Sequence, residues 1–245
     1  MRKVLLATAS LLALAVSSSA FAADNSSYVE QINGGASNSA AINQTASSGA
    51  NNTSWASQNG NSNVASVTQS GGAGIANNST ISQTNDSNVA SVTQVGYGND
   101  QNNSWVTQSG GSNTASLSQS NAHGDNWSWI TQAGVGNIAN VAQGNNRGDN
   151  SSSVTQTGNY SQASVLQGGD GGGSTNTSTV TQDGYGAAWN LASVSQTGNS
   201  DNTSAVTQTG NGNTAGISQS GAYWVNNSST TYQLGTSNSI SVVQH

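Results

Sequence analysis

The sequence predicts an all-β protein: a β-solenoid of nine strand-turn-strand repeats forming two facing, parallel, in-register sheets. Three observations predict it. Glutamine recurs on an alternating ladder along the chain. The residues before each glutamine alternate between constrained and free positions. A turn, usually with glycine, separates the two arms of each repeat.

Composition alone points elsewhere. The 245 residues are rich in Gly, Ser, Asn and Gln, with 5% charged and 32% hydrophobic. That is the profile of a disordered or sticky low-complexity tract. Patterning argues against that end state, because compositional bias does not place eighteen glutamines in register. The chain also has no proline, so no residue forbids a ladder hydrogen bond.

The first element is a predicted secretory signal peptide, residues 1–22. Arg2 and Lys3 precede an apolar run from Val4 to Val16, and Ala20-Phe21-Ala22 is a small-x-small cleavage site. The run is too short to span a bilayer. No later segment is apolar enough to do so, so no membrane span is expected. Cleavage would leave residues 23–245, in which Arg147 alone faces nine acids, a formal charge of −8. Such a chain repels phosphate backbones, so nucleic-acid binding is not expected. Cysteine is absent, which excludes disulfides and thiol chemistry.

Each first arm closes on a glutamine: Gln31, Gln58, Gln83, Gln108, Gln132, Gln156, Gln182, Gln208 and Gln233. Six residues before it stands Asn in all nine repeats, and four before it Ser in all nine. Two before it stands Val or Ile in seven, with Ala56 and Thr231 departing. A period of two puts these positions on one face of a strand. The alternate positions are mixed and read as the outer face.

The turn follows, usually four residues long. Glycine lies two residues after the first-arm glutamine in seven repeats, as at Gly60, Gly110 and Gly134, and Asn85 stands there in the third. Both residue types tolerate the positive φ that such a turn needs.

Each second arm closes on Gln44, Gln69, Gln94, Gln119, Gln143, Gln167, Gln196, Gln219 or Gln244. Its inner face reads Asn, Ala, branched aliphatic, Gln, with Ser161 and Ile240 as departures. Loops of five to eight residues rich in Gly, Asn and Asp join the repeats. Stacked arms would be about 4.8 Å apart, with the sheets about 10 Å from each other. The inner Asn and Gln would be costly to bury unpaired. In register, each amide can donate to the next repeat and accept from the previous one, a structural amide ladder.

The first arm starts at Asn25, just after the predicted cleavage, and the last ends at Gln244. Monomeric solenoids need polar capping repeats, and exposed strand edges template further chains. The expectation is a solenoid that stacks end to end, with itself as partner.

The arm-turn-arm unit resembles curlin, the repeat of curli fibre subunits. The shared spacing is Gln-x4-Asn-x5-Gln, met by Gln58, Asn63 and Gln69; Gln83, Asn88 and Gln94; and Gln108, Asn113 and Gln119. It recurs at Gln132, Asn137 and Gln143; Gln208, Asn213 and Gln219; and Gln233, Asn238 and Gln244. The resemblance implies a secreted subunit of an extracellular amyloid fibre of a bacterial biofilm, with adhesion among its roles. It also implies an outer-membrane secretion channel and a nucleator subunit as partners. The chain departs from the family in having Asn rather than Ser six before the first-arm glutamine, and in having nine repeats. A non-repeat N-terminal segment of the kind used for secretion is also not seen.

Outward residues suggest a rival. Thr107, Thr131, Thr155, Thr181 and Thr207 fall at one position, and a flat threonine array could order water on an ice-binding monomer. Thr equally suits an exposed strand. Tyr28, Trp55, Trp105 and Trp129 share another outward position, with Trp127 on the same face. They fit stacking on sugars, dyes or neighbouring filaments, and equally plain exposed aromatics. Gly168 to Gly173 lacks the recurrent spacing of calcium-binding turns. His123 and His245 have no visible base, nucleophile or metal-ligand partners. No catalytic residue, cofactor or structural metal is expected.

Overall fold

Period-two patterning with small or branched inner residues and no proline commits each arm to a strand. The computed structural model describes residues 25–32, 37–47, 49–72, 74–97, 101–121, 123–145, 147–169, 174–186, 189–222 and 225–245. The predicted signal peptide lies outside the described residues, as do Asp24, Asp100 and Asp170. Eighteen strands follow in chain order. They are β1 (Ser26–Ile32), β2 (Ser39–Ala46), β3 (Asn51–Asn59), β4 (Val64–Gly71), β5 (Ala76–Thr84) and β6 (Val89–Gly96). Next come β7 (Gln101–Gly111), β8 (Thr114–Asn121), β9 (Asn126–Val135), β10 (Ile138–Asn145), β11 (Asn150–Asn159) and β12 (Gln162–Gly169). The last are β13 (Asn176–Gly184), β14 (Leu191–Gly198), β15 (Asn202–Asn211), β16 (Thr214–Gly221), β17 (Asn227–Thr236) and β18 (Ser239–Gln244).

The odd strands form one nine-stranded sheet in sequence order, and the even strands form the other. Every pairing is parallel. The fold is therefore an all-β solenoid, and among the described residues there is no helix. Register is exact in residue type at the glutamines: Gln108 pairs with Gln132 and Gln132 with Gln156 in the first sheet. Gln167 pairs with Gln196 although the chain between them is longer than elsewhere. The loops absorb the extra length, because a one-residue slip would turn every inner side chain outward.

The inner faces close on each other as a dry stripe. Ile81, Val106, Ile130, Val154, Val180 and Val206 from the first sheet meet Val67, Val92, Leu117, Val141, Val165 and Val194 from the second, all buried. The alanine row from Ala40 to Ala215 is buried as well. Val29 and Val242, in the end strands β1 and β18, are only partly buried, so the core stripe is open at both ends of the column.

The turns stack too. Gly134 has φ 109°, and a methyl group there would strike the Gly158 carbonyl oxygen of the next turn. Glycine is needed for the angle and for the closeness of the next turn. In the third repeat Asn85 takes the positive angle, at φ 68°.

The inner serines contribute by size alone. The Oγ atoms of Ser79, Ser104, Ser128, Ser152, Ser178 and Ser204 are buried without a hydrogen-bond partner. The spacing of about 4.8 Å between strands is too long for one serine hydroxyl to reach the next. These hydroxyls are tolerated for their small size and add no bond. Ser128→Ala should therefore raise the denaturant midpoint, by the equivalent of about 1 kcal/mol, since it removes an unsatisfied polar atom. A fall in the midpoint would show that the hydroxyl has a partner, such as a buried water.

Candidate functional site: the amide files

All eighteen ladder glutamines lie in two axial files, one per sheet. Except in Gln233 and Gln244, which end the files, each Nε2 donates to the Oε1 of the glutamine in the following repeat. In the first sheet the chain runs from Gln31 to Gln58 and on to Gln233, with bonds of 2.7–2.9 Å. In the second it runs from Gln44 to Gln69 and on to Gln244, over the same range. All but the end residues Gln31 and Gln244 are buried.

The second hydrogen of Nε2 crosses to the other sheet. Gln58 donates to the Ser39 carbonyl at 2.9 Å, Gln108 to Val89 at 3.0 Å and Gln132 to Thr114 at 3.0 Å. From the opposite side, Gln119 donates to the Asn103 carbonyl at 3.0 Å and Gln143 to Trp127 at 2.9 Å. Each of these glutamines thus ties its strand along the axis and its sheet across the core. The cross-bond also fixes direction. A backbone carbonyl can only accept, so Nε2 must face it and Oε1 is left to accept along the file. The sequence shows the axial ladder; the brace across the core becomes visible only once opposed strands are known.

The first-arm asparagines make a third file of opposite sense. Asn52 Nδ2 donates back to Asn25 Oδ1 at 3.2 Å, Asn77 to Asn52 at 2.9 Å, and the series continues to Asn227, which donates to Asn202 at 3.0 Å. Their invariance six residues before glutamine was the signal for this file.

The second-arm asparagines do something different. The Asn63 backbone N–H donates to Asn38 Oδ1 at 2.9 Å, that of Asn113 to Asn88 Oδ1 at 3.1 Å, and that of Asn137 to Asn113 Oδ1 at 3.0 Å. Their Nδ2 groups donate mainly into the turns. Asn63 reaches the Asn85 carbonyl at 2.7 Å, Asn88 reaches Gly110 at 2.9 Å, Asn113 reaches Gly134 at 3.0 Å, Asn137 reaches Gly158 at 3.0 Å and Asn213 reaches Gly235 at 3.0 Å. Direct side-chain bonds between successive members occur at Asn88–Asn113 and Asn213–Asn238. These residues are turn clamps more than rungs. Asn190 belongs with them, accepting from the Asn213 N–H and donating to the Gly210 carbonyl. The spacing rule misses it because it follows Gln182 by eight residues instead of five.

At the ends of the column the files are open. Gln31 Oε1 is buried and has no donor. Gln233 Nε2 donates across to the Thr214 carbonyl, and Gln244 Nε2 to Ser228. An amide nitrogen carries two hydrogens, so each can serve one strand more. Acceptors therefore end the glutamine file at β1, and donors end the files at β17 and β18.

Among the described residues, no group of three or more His, Cys, Asp or Glu is placed to hold a metal ion. His245 Nδ1 lies 3.0 Å from Ser220 Oγ. The threonines from Thr107 to Thr207 do fall in one row of the first sheet, and Tyr232 follows them.

Ser161 marks the one second arm without the clamp. Its N–H donates to Asn137 Oδ1 at 2.9 Å, and its Oγ is unpartnered. Ser161→Asn should restore bonds to the turn and stabilise the protein by about 1 kcal/mol, read as a higher denaturant midpoint. A lower midpoint would mean that the Gly184 turn cannot accept there.

A search of curated proteins found no match. A family model described as curlin associated repeat matches residues 189–221. That segment holds β14, β15 and β16 with Gln196, Asn202, Gln208, Asn213 and Gln219, the same files that run through the other described repeats. Residues 189–221 are thus similar to the curlin associated repeat, in agreement with the resemblance read from the Gln-x4-Asn-x5-Gln spacing.

Proposed function

We propose that this protein is a self-assembling structural subunit of an extracellular, curli-like amyloid fibre, serving biofilm matrix and adhesion. One observation carries the reading: the two ends of the column are complementary. β1 offers an unfilled glutamine oxygen, and β17 and β18 offer amide hydrogens. Reversed asparagine polarity adds the converse pair, with Asn227 Oδ1 toward one end and Asn25 Nδ2 toward the other. Among the described residues, each sheet also ends in strands with one side unpaired, β1 and β17 in one, β2 and β18 in the other. Such edges recruit further strands. An added copy would continue the backbone ladders, the amide files and the apolar stripe together.

This reading places the fibre outside the cell. No helix among the described residues is long and apolar enough to cross a membrane. A nucleator subunit and an outer-membrane secretion channel are the partners that the family resemblance suggests. Catalysis has no part in it, and the curlin-repeat family is structural.

The test is to purify residues 23–245, incubate them without seeds and record micrographs and fibre diffraction. Unbranched fibres with reflections near 4.8 Å and 10 Å are expected. Gln31→Ala and Gln244→Ala should slow assembly, and the exposed change Ser116→Asn should not. A stable, soluble β-rich monomer would overturn the reading and turn attention to ice binding by the Thr107–Thr207 row.

A further inference from the structure

The outer face of the first sheet is uneven. Trp105 on β7 and Trp129 on β9 stack with centroids 5.0 Å apart and planes 4° apart. Trp127 meets Trp129 edge-on, at 6.1 Å and 74°. Trp127 is thus held from one side while 45% exposed. On the next strand, β11, its paired residue is Ser151, and that of Trp129 is Ser153. This step from bulky to small side chains opens a cavity of about 310 Å³ lined by Asp125, Trp127, Asp149, Asn150 and Ser151.

The polar groups in this lining are fixed in place. The Gln101 N–H donates to Asp125 Oδ1 at 2.9 Å, and the Asp125 N–H donates to Asp149 Oδ1 at 2.9 Å. These backbone bonds orient both carboxylates. A carboxylate has about four acceptor positions, so each keeps capacity for a ligand hydroxyl. The Ser151 hydroxyl can donate or accept. A flat apolar wall beside oriented acceptors fits a molecule that is apolar on one face and hydroxylated around its rim. A pyranose ring has that form.

We propose that this cavity is a glycan-binding subsite, where an uncharged pyranose stacks on Trp127 and its hydroxyls donate to Asp125 and Asp149. A cationic ligand is the weaker fit. Recognition of cations by aromatic residues favours cages, and here Trp127 is the single aromatic wall. Among outward residues five before a first-arm glutamine, tryptophan occurs once, so each chain has one such site. The site lies on the sheet face, away from the end strands, and does not depend on assembly.

The test uses the mature chain, as soluble protein and as assembled material, titrated with cellohexaose, an uncharged chain of all-equatorial pyranoses. Calorimetry and tryptophan fluorescence report binding. Saturable binding near one site per chain is expected. Trp127→Ser, which installs the residue that β11 has at this position, should weaken it by about tenfold. Asp149→Asn should weaken it less, and Trp55→Ser should leave it unchanged. Circular dichroism of each variant verifies that the fold is intact. Absence of saturable binding at millimolar cellohexaose would overturn the proposal. So would equal loss in Trp55→Ser, or binding of hexalysine at Trp127 in place of the sugar.

Discussion

A buried side-chain amide must find an acceptor for its N–H groups and a donor for its oxygen, and in a dry core this requirement governs the whole structure. Water cannot supply the partners, and each orphaned group costs about 1–3 kcal/mol. For a glutamine in a parallel sheet, the one group that always lies within reach is the same amide one strand away. Gln132 meets the need with Gln108 on one side and Gln156 on the other, and with the Thr114 carbonyl opposite. The solution works only if the neighbour is also glutamine at the same register.

Much else depends on that register. Once the glutamines align, valine meets valine and alanine meets alanine, as in the pairing of Val141 with Val165 and Ala139 with Ala163. The turns are forced to stack at the same spacing, which is why Gly134 lies so close to the Gly158 carbonyl. The second-arm asparagines then bind turn to turn, and the amide directions acquire a common sense along the column. Loops tolerate changes in length because they lie outside the ladder. Outer side chains tolerate changes in type for the same reason, and this freedom accommodates both the tryptophan cluster and the threonine row.

The bonds inside the column do not differ in kind from those that an added copy would make. A strand laid on β18 would meet what β16 meets from β14: parallel backbone groups, an aliphatic row and a glutamine file. Folding and the proposed assembly would then draw on one set of interactions, through repetition of the folding unit. The sheet face supplies what repetition does not, a local site such as the hollow beside Trp127.

The strands, their inner faces, the turn positions and the axial glutamine ladder are legible in the sequence. Each is a periodic signal, and a period of two or of one repeat translates directly into a face or a stack. The constant asparagine six residues before glutamine was equally visible, although its direction was not. Three features were decided by tertiary structure. The brace from glutamine to the opposite sheet depends on which carbonyl faces it, and sequence spacing does not specify that. The division of asparagines into an axial file and turn clamps depends on whether a turn carbonyl lies beside the amide, as at Asn137 and Gly158. The unpartnered serine hydroxyls arise because strand spacing exceeds their reach, so the sequence determined that a small residue stands there, and the packing decided that its oxygen finds no bond.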